Sequence, residues 1–544
     1  MDEKAIDFDP LFGAFILETL TVGMYEVPRL ALREYIQNAF DSTREAIRMN
    51  LVTEDEAIIE VTLKTAEQEV IIRDNGVGLP AQSAAKILTS IGASTKSHRS
   101  QAGFRGIGRL AGIAFANKIR FSTKFRNDPE VTEVTFDGSQ MRELMKPGNE
   151  HGLTAQSLLK RTVTTRTIPA RPEEDHFFEV RLIGFTDPPT ECTSVADMKT
   201  FLSHVAPVDY APDFSFREKV RAAALEFGLP VEAVKITVRA EEGEATEVFK
   251  PYGELYAYQG RLPDEDAPTP DPTDPTADVL LEFEGSKVTQ TRLRDVDFYE
   301  SKTKRWFMWV GKKGKSGAYI EPSPWGIRAR VKNIQIDGTD LMADVFGRDS
   351  ASNKRFNQWC VGEVFFKADA LVPNARRDGF EHDPAWKEVK DELFNDCTIL
   401  AREIRILSST AQLALDKLKT DLASYQKAVE ALKEYDGRQK IERAIACANN
   451  LDNLHARFQK SKNAAKTEDQ PEYPALFEKT KALRTQAVAL ISGEQADIES
   501  LLQDARDAQL AQLTDAFQSQ LGPDCLSAVR GIVKSLYGVT ADIR

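Results

Sequence analysis

The chain has 544 residues, a formal net charge of −13 and a sequence pI near 5.3. This excess of negative charge argues against a protein whose whole surface binds nucleic acid electrostatically. It does not argue against a local basic surface. The five cysteines are far apart and form no Cys-x-x-Cys pair, which indicates reduced thiols and no zinc knuckle. There is no signal-peptide pattern, and no apolar run approaches the roughly 20 residues that cross a bilayer. We therefore expect a cytoplasmic protein of about three or four domains with no membrane segment.

The segment 32–41 is predicted to be a helix that carries chemistry on one face. Residues three and four apart are neighbours on a helix, so Glu34, Asn38 and Asp41 form one polar stripe. The residues that can bury the opposite side recur at helical spacing: Leu32, Ile36 and Phe40. An amide oxygen is a hard ligand for magnesium and a carboxylate can deprotonate a water, so the stripe suits a metal-nucleotide site. A polar helix face in solvent would show the same pattern.

Two strands are predicted next, over 57–63 and 69–73, and the second leads directly into Asp74. Gly76 and Gly78 follow, and residues without a side chain let the backbone turn sharply and a planar ligand come close. The Asp74 carboxylate can accept a hydrogen bond from an exocyclic amine such as that of adenine. A hairpin turn is the alternative interpretation of Asp-Asn-Gly.

A glycine-rich segment precedes a predicted helix over 109–116. Gly103, Gly106 and Gly108 expose backbone N–H groups ahead of the helix start, where phosphates can bind. Lys96 could add a positive charge to the same phosphates. A tight loop without any ligand also fits Gly-x-x-Gly-x-Gly.

In chain order, three motifs resemble the ATP-binding motifs of the Bergerat-fold (GHKL) ATPases: Glu34-x-x-x-Asn38, Asp74-x-Gly76-x-Gly78 and Gly103-x-x-Gly106-x-Gly108. This superfamily groups gyrase-type topoisomerases, ninety-kilodalton heat-shock chaperones, sensor histidine kinases, mismatch-repair ATPases and microrchidia proteins. The resemblance implies an α/β sandwich that binds ATP and Mg²⁺. It assigns water activation to Glu34, the metal to Asn38 and adenine to Asp74, with Asp41 on the same nucleotide-binding face. The glycine segment, with Lys96, would be a mobile lid.

Three further strands are predicted to complete the sheet of a first domain that spans 1–210: 118–124, 131–136 and 176–183. A helix-like segment over 195–205 indicates the exit from this domain. Residues 211–385 are predicted to form a second, mixed α/β domain. Its acidic, proline-rich insertion near 261–276 cannot form a packed element, and a role in binding a partner stays open.

Two segments of the second domain resemble the middle domain of the heat-shock chaperones, which extends the resemblance over roughly 15–385. A predicted strand over 325–336 precedes a loop that ends in Asn374-Ala-Arg-Arg-Asp378. The resemblance implies a ribosomal S5-like transducer fold and places Arg377 where the family's loop arginine reaches the γ-phosphate of ATP. Such an arginine would stabilise charge on the transferred phosphoryl group. A surface loop of mixed charge is the alternative.

Residues 386–544 are predicted to be all helical. Between 386 and 436 there is no Gly or Pro, and apolar residues recur mostly every three or four positions, which indicates a long amphipathic helix with coiled-coil character. Further helices are predicted over 438–470, 475–491 and 494–520. These helices could associate between chains or fold back on one another as an antiparallel hairpin. The C-terminal dimerisation domain of the chaperones is not recognisable here.

The chain is therefore predicted to be an α+β, Mg²⁺-dependent ATPase that acts as an ATP-gated homodimeric clamp on a protein client. Two other classes stay open. One is a nucleic-acid clamp or genome-defence ATPase of the microrchidia type, and the other is a scaffold that uses ATP only as a conformational switch.

Overall fold

The computed structural model describes residues 12–23, 28–91, 108–146, 153–172, 174–259, 279–283, 286–374, 376–412, 415–435, 437–464 and 472–492. The chain divides into two compact units, residues 1–407 and residues 408–544. The predicted α+β class is confirmed, because strands and helices mix in the first unit and the described part of the second unit is helical. No helix in these ranges is long and apolar enough to span a bilayer.

An eight-stranded sheet forms the centre of the N-terminal part. Its strands are β1 (Ile58–Lys64), β2 (Glu69–Asp74), β3 (Ala116–Lys124), β4 (Glu130–Asp137), β5 (Val163–Pro169), β6 (Phe177–Phe185), β7 (Lys235–Ala240) and β8 (Thr246–Glu247). They lie in the order β5-β4-β3-β6-β2-β1-β7-β8. Strands β1, β2, β3, β4 and β6 begin and end within two residues of the predicted strands. Runs of β-branched residues therefore located the strands of the first domain well.

The sheet extends beyond the predicted domain boundary at residue 210, because β7 pairs in parallel with β1. The physical reason is burial: Ile236 and Val238 of β7 pack into the same core as Ile59 and Val61 of β1. The edge strand β5, which was not predicted, is mostly exposed and pairs with β4. The division of the chain into three domains stays a prediction.

Helix α2 (Arg29–Arg48) crosses one face of this sheet. Pro28 lies immediately before its first residue, where the fixed φ of proline suits a helix start. Leu32, Ile36 and Phe40 are at most 1% exposed and join the core above the strands, so the predicted apolar side is confirmed. The other α-helices of this part are α1 (Phe15–Glu18), α3 (Ala81–Thr89), α4 (Gly138–Met145), α5 (Ala155–Thr162) and α6 (Val195–Val205).

The helix predicted over 109–116 is instead a 3₁₀ helix over Gly108–Ala114, and β3 follows it. Close packing against α2 explains the tighter turn. The Tyr35 hydroxyl donates to the carbonyl of Arg109 at 3.1 Å and accepts from the N–H of Gly112 at 2.9 Å. A Cβ on Gly112 would lie only 2.6 Å from that hydroxyl, so the segment and α2 are in intimate contact.

A five-stranded sheet forms the centre of the middle part of the chain. Its strands are β12 (Asp295–Glu300), β13 (Trp306–Lys312), β14 (Gly326–Val331), β15 (Ile334–Ile336) and β16 (Val361–Phe366). They lie in the order β12-β13-β16-β14-β15. A smaller sheet joins β9 (Tyr256–Tyr258), β10 (Val279–Phe283) and β11 (Ser286–Thr291) in the order β10-β11-β9. Helices of this part are α7 (Arg217–Phe227), α8 (Asp340–Phe346) and α9 (Pro384–Gln412).

The single strand predicted over 325–336 is a hairpin, β14 and β15, with Lys332 and Asn333 at its turn. Both turn residues have a left-handed backbone, with φ of 51° and 59°. Helix α9 confirms the helix predicted from residue 386, and its Trp386 and Leu393 pack into the core of the five-stranded sheet. The beginning of the predicted helical domain at 386 is thus part of the middle core.

The second unit contains α10 (Leu415–Ala431), α11 (Gly437–Ala464) and α12 (Tyr473–Ser492). Arg457 of α11 pairs with Asp421 of α10 at 2.9 Å, and Arg484 of α12 pairs with Asp452 of α11 at 2.6 Å. The start of α10 thus lies near the end of α11, and the hydroxyls of Ser461 and Tyr473, 2.6 Å apart, join the end of α11 to the start of α12, so neighbouring helices run antiparallel around a shared apolar core. This is the folded-back arrangement of the two that were predicted. Association between chains stays a prediction, and the helix predicted over 494–520 lies outside the described residues.

Candidate functional site

The polar face of α2 forms the first wall of the site. Glu34 and Asn38 are half-buried one turn apart, and Asp41 on the next turn is only 5% exposed. A Cβ on Gly108 would lie 2.4 Å from Oε2 of Glu34, so the start of the 3₁₀ helix lies directly against this carboxylate. The structure therefore brings together residues of the first and third predicted motifs.

The segment after β2 forms the second wall. Asp74 is 3% exposed, and its Oδ1 accepts a hydrogen bond from the N–H of Gly76 at 3.0 Å. Asn75 is fixed in turn, because its Oδ1 accepts from the N–H of Ile58 at 2.9 Å and its amide donates to the carbonyl of Glu56 at 2.7 Å. These contacts hold the Asp74 carboxylate in one orientation at the end of its strand.

Two glycines let this segment approach its neighbours. A Cβ on Gly76 would lie 2.0 Å from Oγ of Ser42 on α2. Gly78 has φ of +65°, and a Cβ there would lie 2.0 Å from the carbonyl oxygen of Lys124. The segment continues into α3 and does not form the turn of a hairpin, so the alternative interpretation of Asp-Asn-Gly does not hold.

A loop of the middle part, residues 373–380, of which residue 375 lies outside the described residues, reaches the same face of α2. Pro373 and Phe380 form a β-bridge, and the Asn374 amide donates to Oδ1 of Asp378 at 2.7 Å inside the loop. The guanidinium Nε of Arg377 lies 3.8 Å from Oε1 of Glu34, and the two side chains are 7% and 13% exposed. Arg377 has φ of 54°, a conformation that is costly for a residue with a side chain.

A second contact attaches this loop to α2. Arg33, which precedes Glu34, donates from Nη2 to the carbonyl oxygen of Arg376 at 2.9 Å, although the two residues are 343 positions apart. Arg33 is 3% exposed. The sequence contained a weak signal for this role, because a charged residue stands among the apolar positions of the helix.

The β14–β15 turn brings another cation to this region. Burial lowers the pKa of Lys332 to about 8, while the negative charges of Asp41 and Glu232 act in the opposite direction and Arg377 adds to the lowering. Burial also raises the pKa of the Tyr35 hydroxyl, which stays protonated behind Glu34. Sequence reasoning missed Lys332 because it lies at the turn of a hairpin that was predicted as one strand.

Three predicted site residues lie outside the described residues: Lys96, Gly103 and Gly106. The mobile lid therefore stays a prediction, and Gly108 is its only member with a described position.

The described residues fit a nucleotide and a magnesium ion. A buried carboxylate that can accept from an amine, a glycine-lined approach and an amide oxygen at Asn38 are donors of the required kinds. Within the described ranges, no group of three or more His, Cys, Asp or Glu side chains could hold a metal. Among the described residues, the Asn38 amide oxygen would hold the magnesium ion.

A model of the histidine kinase-, DNA gyrase B- and HSP90-like ATPase family matches residues 25–161. The matched range includes Glu34, Asn38, Asp74 and Gly108, whereas the 373–380 loop lies outside it. No curated protein matches the chain. Residues 25–161 therefore carry a domain of the Bergerat-fold (GHKL) superfamily of ATPases.

Proposed function

We propose that this protein binds ATP and hydrolyses it in a Mg²⁺-dependent reaction, at a site formed by α2, the Asp74 segment and the 373–380 loop. Family membership supports ATP binding by the N-terminal part. The observation that supports hydrolysis is the distance of 3.8 Å between Nε of Arg377 and Oε1 of Glu34. It places a carboxylate that can act as a base beside an arginine from a distant segment of the chain.

Each residue has a distinct role in this proposal. The Glu34 carboxylate orients the attacking water and accepts its proton. The Arg377 guanidinium stabilises negative charge that develops on the transferred phosphoryl group. Asp74 accepts a hydrogen bond from the adenine amine, and Asn38 offers its amide oxygen to magnesium. Magnesium held there would supply positive charge that offsets the negative charge of the phosphates.

We further propose that the whole protein is a homodimeric clamp that ATP closes on a protein client. The resemblance to the heat-shock chaperones over roughly 15–385 supports the clamp, and the net charge of −13 favours a protein client over nucleic acid. The salt dependence of turnover separates these clients. Turnover that DNA stimulates at low salt, and less at high salt, would favour the microrchidia type instead.

Two substitutions test the ATPase assignment. Glu34→Ala should lower phosphate release about 100-fold or more and leave ATP binding intact, since the general base is lost and the binding groups remain. Asp74→Asn should abolish binding, because Oδ1 accepts from the N–H of Gly76 and the second oxygen becomes an NH₂ donor, which cannot accept from the adenine amine. Calorimetry measures the binding and a phosphate assay measures the turnover.

Glu45→Ala is the matched control, since Glu45 lies on the same helix, is 38% exposed and pairs with Arg48. It should hydrolyse ATP at the wild-type rate. Equal hydrolysis by wild type and Glu34→Ala would reject the assignment.

A further inference from the structure

His176, the residue before β6, lies behind the Asp74 segment and is 8% exposed. Its ring Nδ1 is 2.7 Å from the carbonyl oxygen of Gly76. A carbonyl oxygen only accepts, so Nδ1 carries the proton in this contact. The other ring nitrogen faces Oδ2 of Asp175 at 3.9 Å. The family motifs include no histidine at this place, and the sequence predicted only a strand here.

Gly76 is held from several sides. Its N–H donates to Oδ1 of Asp74, and its carbonyl accepts from His176. A Cβ on it would lie 2.6 Å from the same Asp74 oxygen and 2.0 Å from Oγ of Ser42. The N–H and the carbonyl of Gly76 belong to adjacent peptide groups that meet at its Cα, so the bond from His176 restrains the residue whose N–H orients the Asp74 carboxylate.

The far end of the segment has its own supports. The N–H of Leu79 donates to Oγ1 of Thr123 at 2.8 Å, and Gly78 lies against the carbonyl of Lys124. These contacts hold residues 78 and 79, which follow the peptide groups next to Asp74. The hydrogen bond from His176 therefore acts on the end of the segment that lies next to Asp74.

We propose that His176 is a positioning residue for base recognition: it holds Gly76 so that Asp74 accepts the hydrogen bond from the exocyclic amine of adenine. The proposal rests on the proposed ATP site and names the group that sets its preference for adenine. A residue with a merely structural role would affect every nucleotide alike. A positioning residue affects the nucleotides that carry the amine.

The test compares ATP with purine riboside triphosphate, in which hydrogen replaces the exocyclic amine. His176→Leu removes the donor, and ATP affinity should fall about tenfold, as expected for one lost hydrogen bond to a buried group. Affinity for the analogue should stay within about twofold of the wild-type value, since that ligand never used the bond. Calorimetry on the full-length protein gives both affinities.

Two conservative variants separate a donor effect from a folding effect. His176→Asn places an amide donor near the former Nδ1 and should restore most of the preference for ATP. His176→Gln places its donor nearer the former Nε2 and should restore less. Thermal melting of all variants shows whether they fold, and the Asn and Gln pair still tests the proposal if the Leu variant does not.

Equal losses for both nucleotides, or no loss for either, would overturn the role of His176. Failure of the proposed function looks different, because wild-type protein would then bind neither nucleotide. A wild type that prefers ATP beside a His176→Leu variant that keeps the full preference leaves the ATP site standing and rejects the positioning role.

Discussion

Glu34 has little free space around its carboxylate. On one side Gly108 comes so close that a Cβ would lie 2.4 Å from Oε2, and on the other side Arg377 lies at 3.8 Å. We expect Gly108→Ala to displace the carboxylate, which is the end of a flexible side chain. Turnover should fall about tenfold or more, whereas the free energy of unfolding should change by less than about 1 kcal/mol.

Gly338→Ala is the control for this substitution, because a Cβ on Gly338 would meet no atom within 4 Å. Its turnover and stability should match those of the wild type. Steady-state kinetics and chemical denaturation measure the two quantities. Normal turnover in Gly108→Ala would show that the position of this carboxylate is not critical.

At the residue scale, the sequence predicted those side chains that belong to dense local motifs. Glu34 and Asn38 stand four residues apart on one helix, and Asp74 stands beside its two glycines, so short spacings marked them as candidates. Arg33 and His176 were missed as site residues. Their contacts join positions 343 and 100 residues apart in the chain, and no local pattern reports such a distance.

Among the secondary-structure elements, the β14–β15 hairpin connects the middle sheet to the N-terminal part of the chain. Ile334 lies in the N-terminal core, and the Asn333 amide donates to the carbonyl of Val208 at 3.1 Å. The N–H of Asp337, just after β15, donates to the carbonyl of Arg377 at 2.8 Å. The hairpin therefore contacts the core of the N-terminal part and also supports the 373–380 loop of the middle part.

Next to this hairpin, a buried ionic cluster stabilises the middle sheet. Glu363 of β16 contacts Nζ of Lys250 at 2.8 Å, the Tyr210 hydroxyl at 2.5 Å and Nε of Arg330. Burial alone would raise the pKa of Glu363, but Arg330 and Lys250 outweigh it and lower the pKa from 4.5 to about 2. The carboxylate is therefore ionised in the folded protein.

We expect this cluster to make the free energy of unfolding depend on pH in the acid range. A lowered carboxyl pKa stabilises the fold above the unfolded value of 4.5, and that contribution is lost as the pH falls towards 2. Glu363→Gln should cost about 3–5 kcal/mol at pH 7, because it leaves buried cations unpaired, and it should flatten the acid dependence.

Denaturant unfolding at several pH values measures both effects. Glu60→Gln serves as the control, since Glu60 lies exposed on β1, and it should leave the pH profile unchanged. An acid profile that is the same in wild type and Glu363→Gln would assign the dependence to other carboxylates.

Secondary-structure elements were predicted best where the local spacing of apolar residues determines the structure. The strands of the first sheet and the apolar side of α2 follow from such spacing. The 3₁₀ helix over Gly108–Ala114 and the turn at Lys332 do not, because packing against distant residues overrides the local pattern.

At the scale of the whole molecule, the candidate site lies entirely within the first compact unit. A clamp nevertheless needs two chains. We expect Glu34→Ala protein, which should bind ATP without turnover, to double its mass when saturating ATP and Mg²⁺ are added. Light scattering behind size-exclusion chromatography measures this mass. The same variant without nucleotide is the control, and a monomer under both conditions would contradict the clamp.

In the proposed ATPase site, α2 and the 373–380 loop act together in hydrolysis. Single-turnover hydrolysis by Arg377→Ala and Arg376→Ala tests this joint action, because the two neighbouring side chains differ in their contact with Glu34. The Arg377 side chain is buried beside Glu34, whereas Arg376 is exposed and contacts α2 through its carbonyl. We expect Arg377→Ala to slow hydrolysis about 100-fold or more and Arg376→Ala to stay within about threefold of the wild-type rate. Equal rates for the two variants would show that the Arg377 side chain takes no part in hydrolysis.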